Sequence, residues 1–230
     1  MVDVKPEEPR KSIYLVPYPK IIFLYPSFIA AIVAGIMMFV ARNEPTEQTH
    51  MVSLVFLLVL GVNLVVFSFD FPRTTSLTLF FVCVAVGLAM WLLFTFNPNL
   101  LPWLTGMLDS LNPFVNSTFY FLFAGIMALV YFAVFINVRF DYWEVRPNEL
   151  LHHHGFLSNL ERFSAPNLRI DKEINDVFEY ALLRTGRLIM HPSNERRAIV
   201  LENVPFINRK EAEITKMLGS LQVQMGPDTK

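Results

Sequence analysis

YFAVFINVRFDYWEVRPNELLHHHG, residues 131–155, decides how this chain is read. Up to Val138 the stretch carries no charge, and from Arg139 it turns to strand-like alternation within a few positions. Phe140, Tyr142 and Glu144 alternate with Asp141, Trp143 and Val145, which is the two-residue period of a strand. Pro147 and Asn148 then make a turn, and a second strand over residues 149–154 stops at Gly155. No Gly/Ser-rich linker separates the two regimes. The expectation is a membrane helix passing directly into a small soluble domain, which it holds at a fixed height and orientation against the membrane.

Composition supports that division. Apolar side chains make up 53% of the 230 residues, with 22 Phe, more than a soluble chain of this size can hide. The 19 basic and 20 acidic residues nearly cancel, but thirteen of each lie from Arg139 onward, so the charges gather in the C-terminal part. The one cysteine, Cys83, lies inside an apolar run, which rules out an intrachain disulfide or a Cys-based metal cluster. Residues 1–20 mix Pro with both charge signs, and no small-residue cleavage pattern follows a short apolar segment. They read as a retained cytoplasmic tail, extended over 13–19 because each Pro disfavours helix in the residue before it.

Working backwards from Val138, four charge-free windows are each long enough to cross a hydrocarbon core. They cover about residues 21–41, 51–69, 75–96 and 118–138, giving a four-helix transmembrane domain over 21–138. Small residues at Ala31, Gly35, Ala124 and Ala128 predict close helix packing, and Asn63, strongly polar inside the second window, predicts an amide bonded to a neighbouring helix. The connection over 97–116 has no Lys or Arg; its apolar residues recur at helical spacing, predicting an interfacial helix near 100–111 that carries Trp103. Lys5, Arg10, Lys11, Lys20, Arg73 and Arg139 fall on one side of a four-crossing topology and Arg42 on the other. By the positive-inside rule both termini are expected in the cytoplasm.

None of the four windows contains Asp, Glu, Lys, Arg or His. Transporters, proton pumps and intramembrane hydrolases need such groups to bind ions, relay protons or activate water, so this argues against those activities. Phosphate-loop, nucleophile-elbow, metalloprotease and dinucleotide motifs are missing as well, and the expectation is a non-enzymatic chain with no cofactor and no small-molecule substrate. The equal numbers of basic and acidic residues after Arg139 likewise speak against nucleic acid as a partner.

Beyond Gly155, strands are expected over 157–163, 177–183, 187–191 and 198–201, followed by a helix capped by Asn208 whose Ile214, Met217 and Leu218 face a core. The order Tyr142-Trp143-Glu144-Val145, the turn Arg146-Pro147-Asn148-Glu149-Leu150, then His154-Gly155-Phe156-Leu157, Leu183-Arg184-Thr185-Gly186-Arg187-Leu188 and Ile199-Val200-Leu201-Glu202-Asn203-Val204-Pro205 resembles the bacterial pleckstrin-homology-like (PH-like) domains attached to membrane helices. The resemblance covers roughly 139–221, leaving 222–230 as a tail. It implies a bent antiparallel sheet plugged by a C-terminal helix, an α+β domain on a helical bundle. It also implies a bacterial inner-membrane location and an interaction or oligomerisation role, in some relatives with lipid headgroups.

The expected partners are therefore membrane lipids and other membrane subunits or further copies of the chain. An accessory subunit of a membrane complex is the leading expectation. A module reading lipid at the cytoplasmic leaflet is the alternative, and a channel component, with Asn63 lining a path, is a third. Arg139, Tyr142, Trp143 and Trp103 are expected at the membrane interface. On a strand, His152 and His154 share one face about 6.5–7 Å apart while His153 points the other way. These two are the candidate metal ligands, with no partner cluster evident in the sequence.

Overall fold

The computed structural model describes residues 12–72, 113–155, 159–166, 168–193 and 195–224, together with 78, 79, 81, 82, 84–89 and 92. The chain divides into two compact units, one built from residues 1–20 and 132–230 and the other from 21–131.

In the second unit, a short 3-10 turn over Lys20–Leu24 leads into α1 (Tyr25–Val40), where Pro26 sits in the first turn. A proline there removes an N–H that has no helical partner anyway, so it starts the helix and does not break it. Helix α2 (Glu47–Ser68) opens with a reciprocal cap between Thr46 and Thr49, and α3 spans Ser117–Phe140. Three described helices, over Lys20–Val40, Glu47–Ser68 and Ser117–Phe140, are long and apolar enough to cross a membrane. Half of the expected span over 75–96 lies outside the described residues, and those described within it are helical. The expected interfacial helix near 100–111, with Trp103, lies wholly outside them.

Small side chains set the helix contacts. Ala31, Ala34, Met38, Phe56, Tyr120 and Ala124 form the buried cluster of this unit. A Cβ on Gly35 would come within 3.1 Å of Tyr120 Cβ and Phe121 Cε1, so α1 meets α3 where only glycine fits without displacement. Ala128, expected to pack in the same way, is exposed, as is Gly125.

Among the described residues, the other unit contains seven strands. β1 (Ile13–Leu15), β2 (Tyr142–Val145), β3 (Glu149–His154) and β4 (Asn159–Ser164) form one antiparallel sheet in that order. β5 (Arg169–Glu173), β6 (Gly186–His191) and β7 (Ile199–Val204) form the other. Leu15, Trp143, Val145 and Leu150 from the first sheet meet Leu188, Met190, Leu201 and Val204 from the second, and Ile207 and Ile214 of α5 (Ile207–Gln224) complete one core. A Cβ on Gly186 would come within 2.9 Å of Ile207 Cγ2, which keeps this strand end bare where α5 begins.

Four differences from the sequence reading have physical causes. Residues 13–15 are more than an extended tail: Ile13, Tyr14 and Leu15 pair with Val145, Glu144 and Trp143, and Leu15 is fully buried. Residues 177–183 are not a strand but the helix α4 (Val177–Leu183), because Asp176 Oδ1 accepts from the backbone N–H groups of Phe178 and Glu179 and caps it, while Arg184 ends it in the left-handed region. Asn208 does not cap α5; its Nδ2 donates to the Tyr180 hydroxyl at 2.8 Å. Trp143 is 7% exposed and belongs to the core of the two sheets, since it alternates with Tyr142 and follows Val145 inward.

Candidate functional site

Polar side chains in the membrane unit tie helices together. Asn63 of α2 is buried; its Oδ1 accepts from Ser27 Oγ at 2.7 Å and from Ser27 N at 3.2 Å, and its Nδ2 donates to the Phe23 carbonyl at 2.8 Å. One amide thus satisfies one of the leading N–H groups of α1, which have no helical acceptor, and ties down the turn before it. Nearer the other end, Asn43 in the α1–α2 loop accepts from Ser117 N at 2.7 Å and donates to Ser117 Oγ at 3.0 Å, holding the start of α3. Ser53 accepts from Tyr120 Oη and from Val115 N, both at 3.2 Å. These groups are occupied as connectors, so Asn63 has little left to offer a passing solute.

An apolar groove of about 710 Å³ runs between α1 and α2. Ile29, Val33, Met37, Met51 and Val55 line it, with Glu47 and Gln48 at one end. Its chemistry suits an acyl chain or another helix and offers almost nothing to a polar ligand.

In the unit that holds the two sheets, the strand pairings bring the titratable residues together. Cross-strand register sets Trp143 opposite His152 and His152 opposite Glu161, with His154 one step further along the same face. The His152 ring lies flat on the Trp143 indole, 4.1 Å between centroids and 7° between planes, and His154 stacks on His152 at 4.8 Å. His152 Nε2 is 3.1 Å from Asp141 Oδ1 and its Nδ1 is 3.5 Å from Glu161 Oε2. His154 Nδ1 is buried with no hydrogen-bond partner.

The opposite face has a different grouping. Tyr142 stacks on His153 at 4.5 Å, and Glu144, 4% exposed, receives Arg146 Nε at 2.9 Å and Nη2 at 3.1 Å on its two oxygens. His153 Nε2 lies 3.4 Å from Glu144 Oε2 without the alignment of a good hydrogen bond. Burial pushes the Glu144 carboxyl up, but the Arg146 hydrogen bonds and charge, aided by Ser12 and His153, outweigh it and leave it below the ordinary value of 4.5.

The expected interface set therefore divides: Arg139 is exposed at the end of α3, Tyr142 is half-buried against His153, and Trp143 is inside. Sequence reasoning found His152 and His154 but missed Glu161 and Asp141. Only strand register could supply them, because Glu161 becomes a neighbour by lying directly across from His152. No family model, curated protein or solved structure matches this chain.

Proposed function

We propose that this chain is a non-enzymatic interaction and assembly subunit of a bacterial inner membrane, a helical bundle carrying a PH-like cytoplasmic domain with both termini on the cytoplasmic side. The observation that carries this reading is the engagement of six polar side chains in the helical unit: Asn63, Ser27, Asn43, Ser117, Ser53 and Tyr120 all bond to other segments of the chain, while the Tyr131 hydroxyl is buried without a partner among the described residues. What this bundle offers a partner is apolar surface, including the groove between α1 and α2. Two antiparallel sheets of four and three strands with a C-terminal helix in their core support the PH-like reading.

Charge pairing favours protein contact over headgroup recognition. Arg146, Lys172, Arg187 and Arg209 reach Glu144, Glu211, Glu202 and Glu213 at 2.8–3.1 Å, so their charge is locally balanced. Recognition of anionic lipid needs a basic excess near the surface. Native mass spectrometry from mild detergent tests the assembly reading: a defined homo-oligomer or a stoichiometric heteromer is expected, and a strictly monomeric 26.5 kDa particle overturns it. A photo-crosslinker at Val33 in the groove is expected to join the same subunits. Flotation of the full chain, reconstituted beside anionic or neutral vesicles, is expected to show no preference between them.

A further inference from the structure

We propose that His152, His154 and Glu161 form a binding site for a divalent transition-metal ion on the β3–β4 ladder. One ring nitrogen from each histidine and one carboxylate oxygen of Glu161 lie within 4.8 Å of one another. Ligands around a tetrahedral zinc sit about 3.3 Å apart, as follows from bond lengths of about 2.0–2.1 Å. The 3.5 Å between His152 Nδ1 and Glu161 Oε2 is already close to that spacing.

Three features distinguish this group from a chance cluster of surface charges. His154 Nδ1 is buried without a partner, a cost that a bound ion removes. His152 Nε2 faces Asp141 Oδ1 at 3.1 Å, so the Nε2–H donates to a carboxylate and the Nδ1 lone pair is turned toward Glu161. That is the carboxylate–histidine–metal relationship by which an outer group fixes the tautomer and orientation of a ligand. Finally, the Trp143 indole lies flat under His152 and holds its ring plane.

Two imidazole nitrogens and one carboxylate oxygen select zinc, copper, nickel or iron over magnesium and calcium, which take oxygen ligands. The three ligands come from adjacent strands, so the ion cross-links β3 to β4. Glu161 is largely exposed, which leaves a further position to water. The site is independent of the assembly role proposed above and stands or falls separately from it.

Calorimetric titration of Zn²⁺ into the untagged full chain in detergent tests it, with Asp141→Asn, His154→Ala, Glu161→Gln and His153→Ala beside the parent. One ion per chain is expected. His154→Ala and Glu161→Gln each weaken binding by more than about ten-fold, Asp141→Asn by about 10–100-fold through loss of orientation, and His153→Ala leaves it unchanged. Excess Mg²⁺ leaves the Zn²⁺ isotherm in place, and Co²⁺ quenches Trp143 emission, a signal that Trp143→Phe removes. The site is overturned by absence of stoichiometric Zn²⁺ binding, by full affinity in Glu161→Gln, or by equal losses in His153→Ala and His154→Ala. Glu161→Gln alters a side chain that is 56% exposed and preserves its size, so its result is readable even if His154→Ala unfolds.

Discussion

Asn63 shows how one side chain can carry a helix contact in an apolar setting. Replacing it with leucine leaves Ser27 N–H and the Phe23 carbonyl without their partners, and a buried polar group left unpaired costs about 1–3 kcal/mol. Asn63→Leu should lower the melting temperature of the purified protein in detergent; an unchanged melt would remove Asn63 from its role as a connector. Glu144 makes a different prediction, tied to pH. Arg146 and His153 are the charged or titratable groups facing it, and its folded pKa is depressed. A depressed carboxylate contributes stability above its unfolded value of about 4.3 and loses that contribution as pH falls through the lower folded value. The stability gap between the parent and Glu144→Gln should therefore be about 1–3 kcal/mol near neutral pH and shrink below about pH 4. Thermal melts across that range check it, and a gap that widened in acid would reverse the sign assigned here.

β1 is the element whose importance exceeds its length. Three residues that precede all the described apolar helices supply an edge strand of the four-stranded sheet, and Leu15 sits fully buried in a core whose other buried residues all lie beyond 140. Leu15→Ala should cost about 2–5 kcal/mol, the range for truncating a large aliphatic side chain in a packed core. Hydrogen exchange read by mass spectrometry should show faster exchange in β2, its hydrogen-bonded neighbour; an unaltered β2 would mean that the N-terminal strand is dispensable. α4 makes the complementary point about local chemistry, since Asp176 converts a β-rich heptapeptide, VFEYALL, into a capped helix. Its two hydrogen bonds to the leading N–H groups outweigh a weak strand preference that lacked a partner edge.

For the whole molecule, the pairing of β1 with β2 constrains topology. Residues 13–15 and 142–145 share one sheet, so if the apolar helices cross a membrane these two segments lie on the same side of it and the crossings between them are even in number. Three described helices have the length and hydropathy to cross, so an even count requires either a further crossing or one helix that does not cross. Cysteine labelling in sealed vesicles, on a Cys83→Ala background, should modify Ser12→Cys and Asn208→Cys from one side and Thr46→Cys, in the α1–α2 loop, from the other. Opposite accessibility of positions 12 and 208 would be incompatible with the sheet.

Hydropathy and period were enough to place the change from apolar helix to strand within a few residues of Phe140, the apolar windows now seen as α1, α2 and α3, and the strands β2, β3, β6 and β7 close to their observed limits. Those signals are local: a lipid-crossing helix must be apolar throughout its length, and a half-buried strand must alternate. The histidine pattern was equally legible, because alternation alone assigns His152 and His154 to one face. Position across the chain was not. Nothing near Ile13 in sequence shows that its partner is Val145, and nothing near His152 shows that Glu161 lies opposite. Strand β5, RIDKE, buries too little apolar surface to signal itself and forms because Ile170 pairs with Met190. Partnership of this kind depends on which edges and faces meet when the core closes, and that is decided by long-range pairing, to which periodicity is blind.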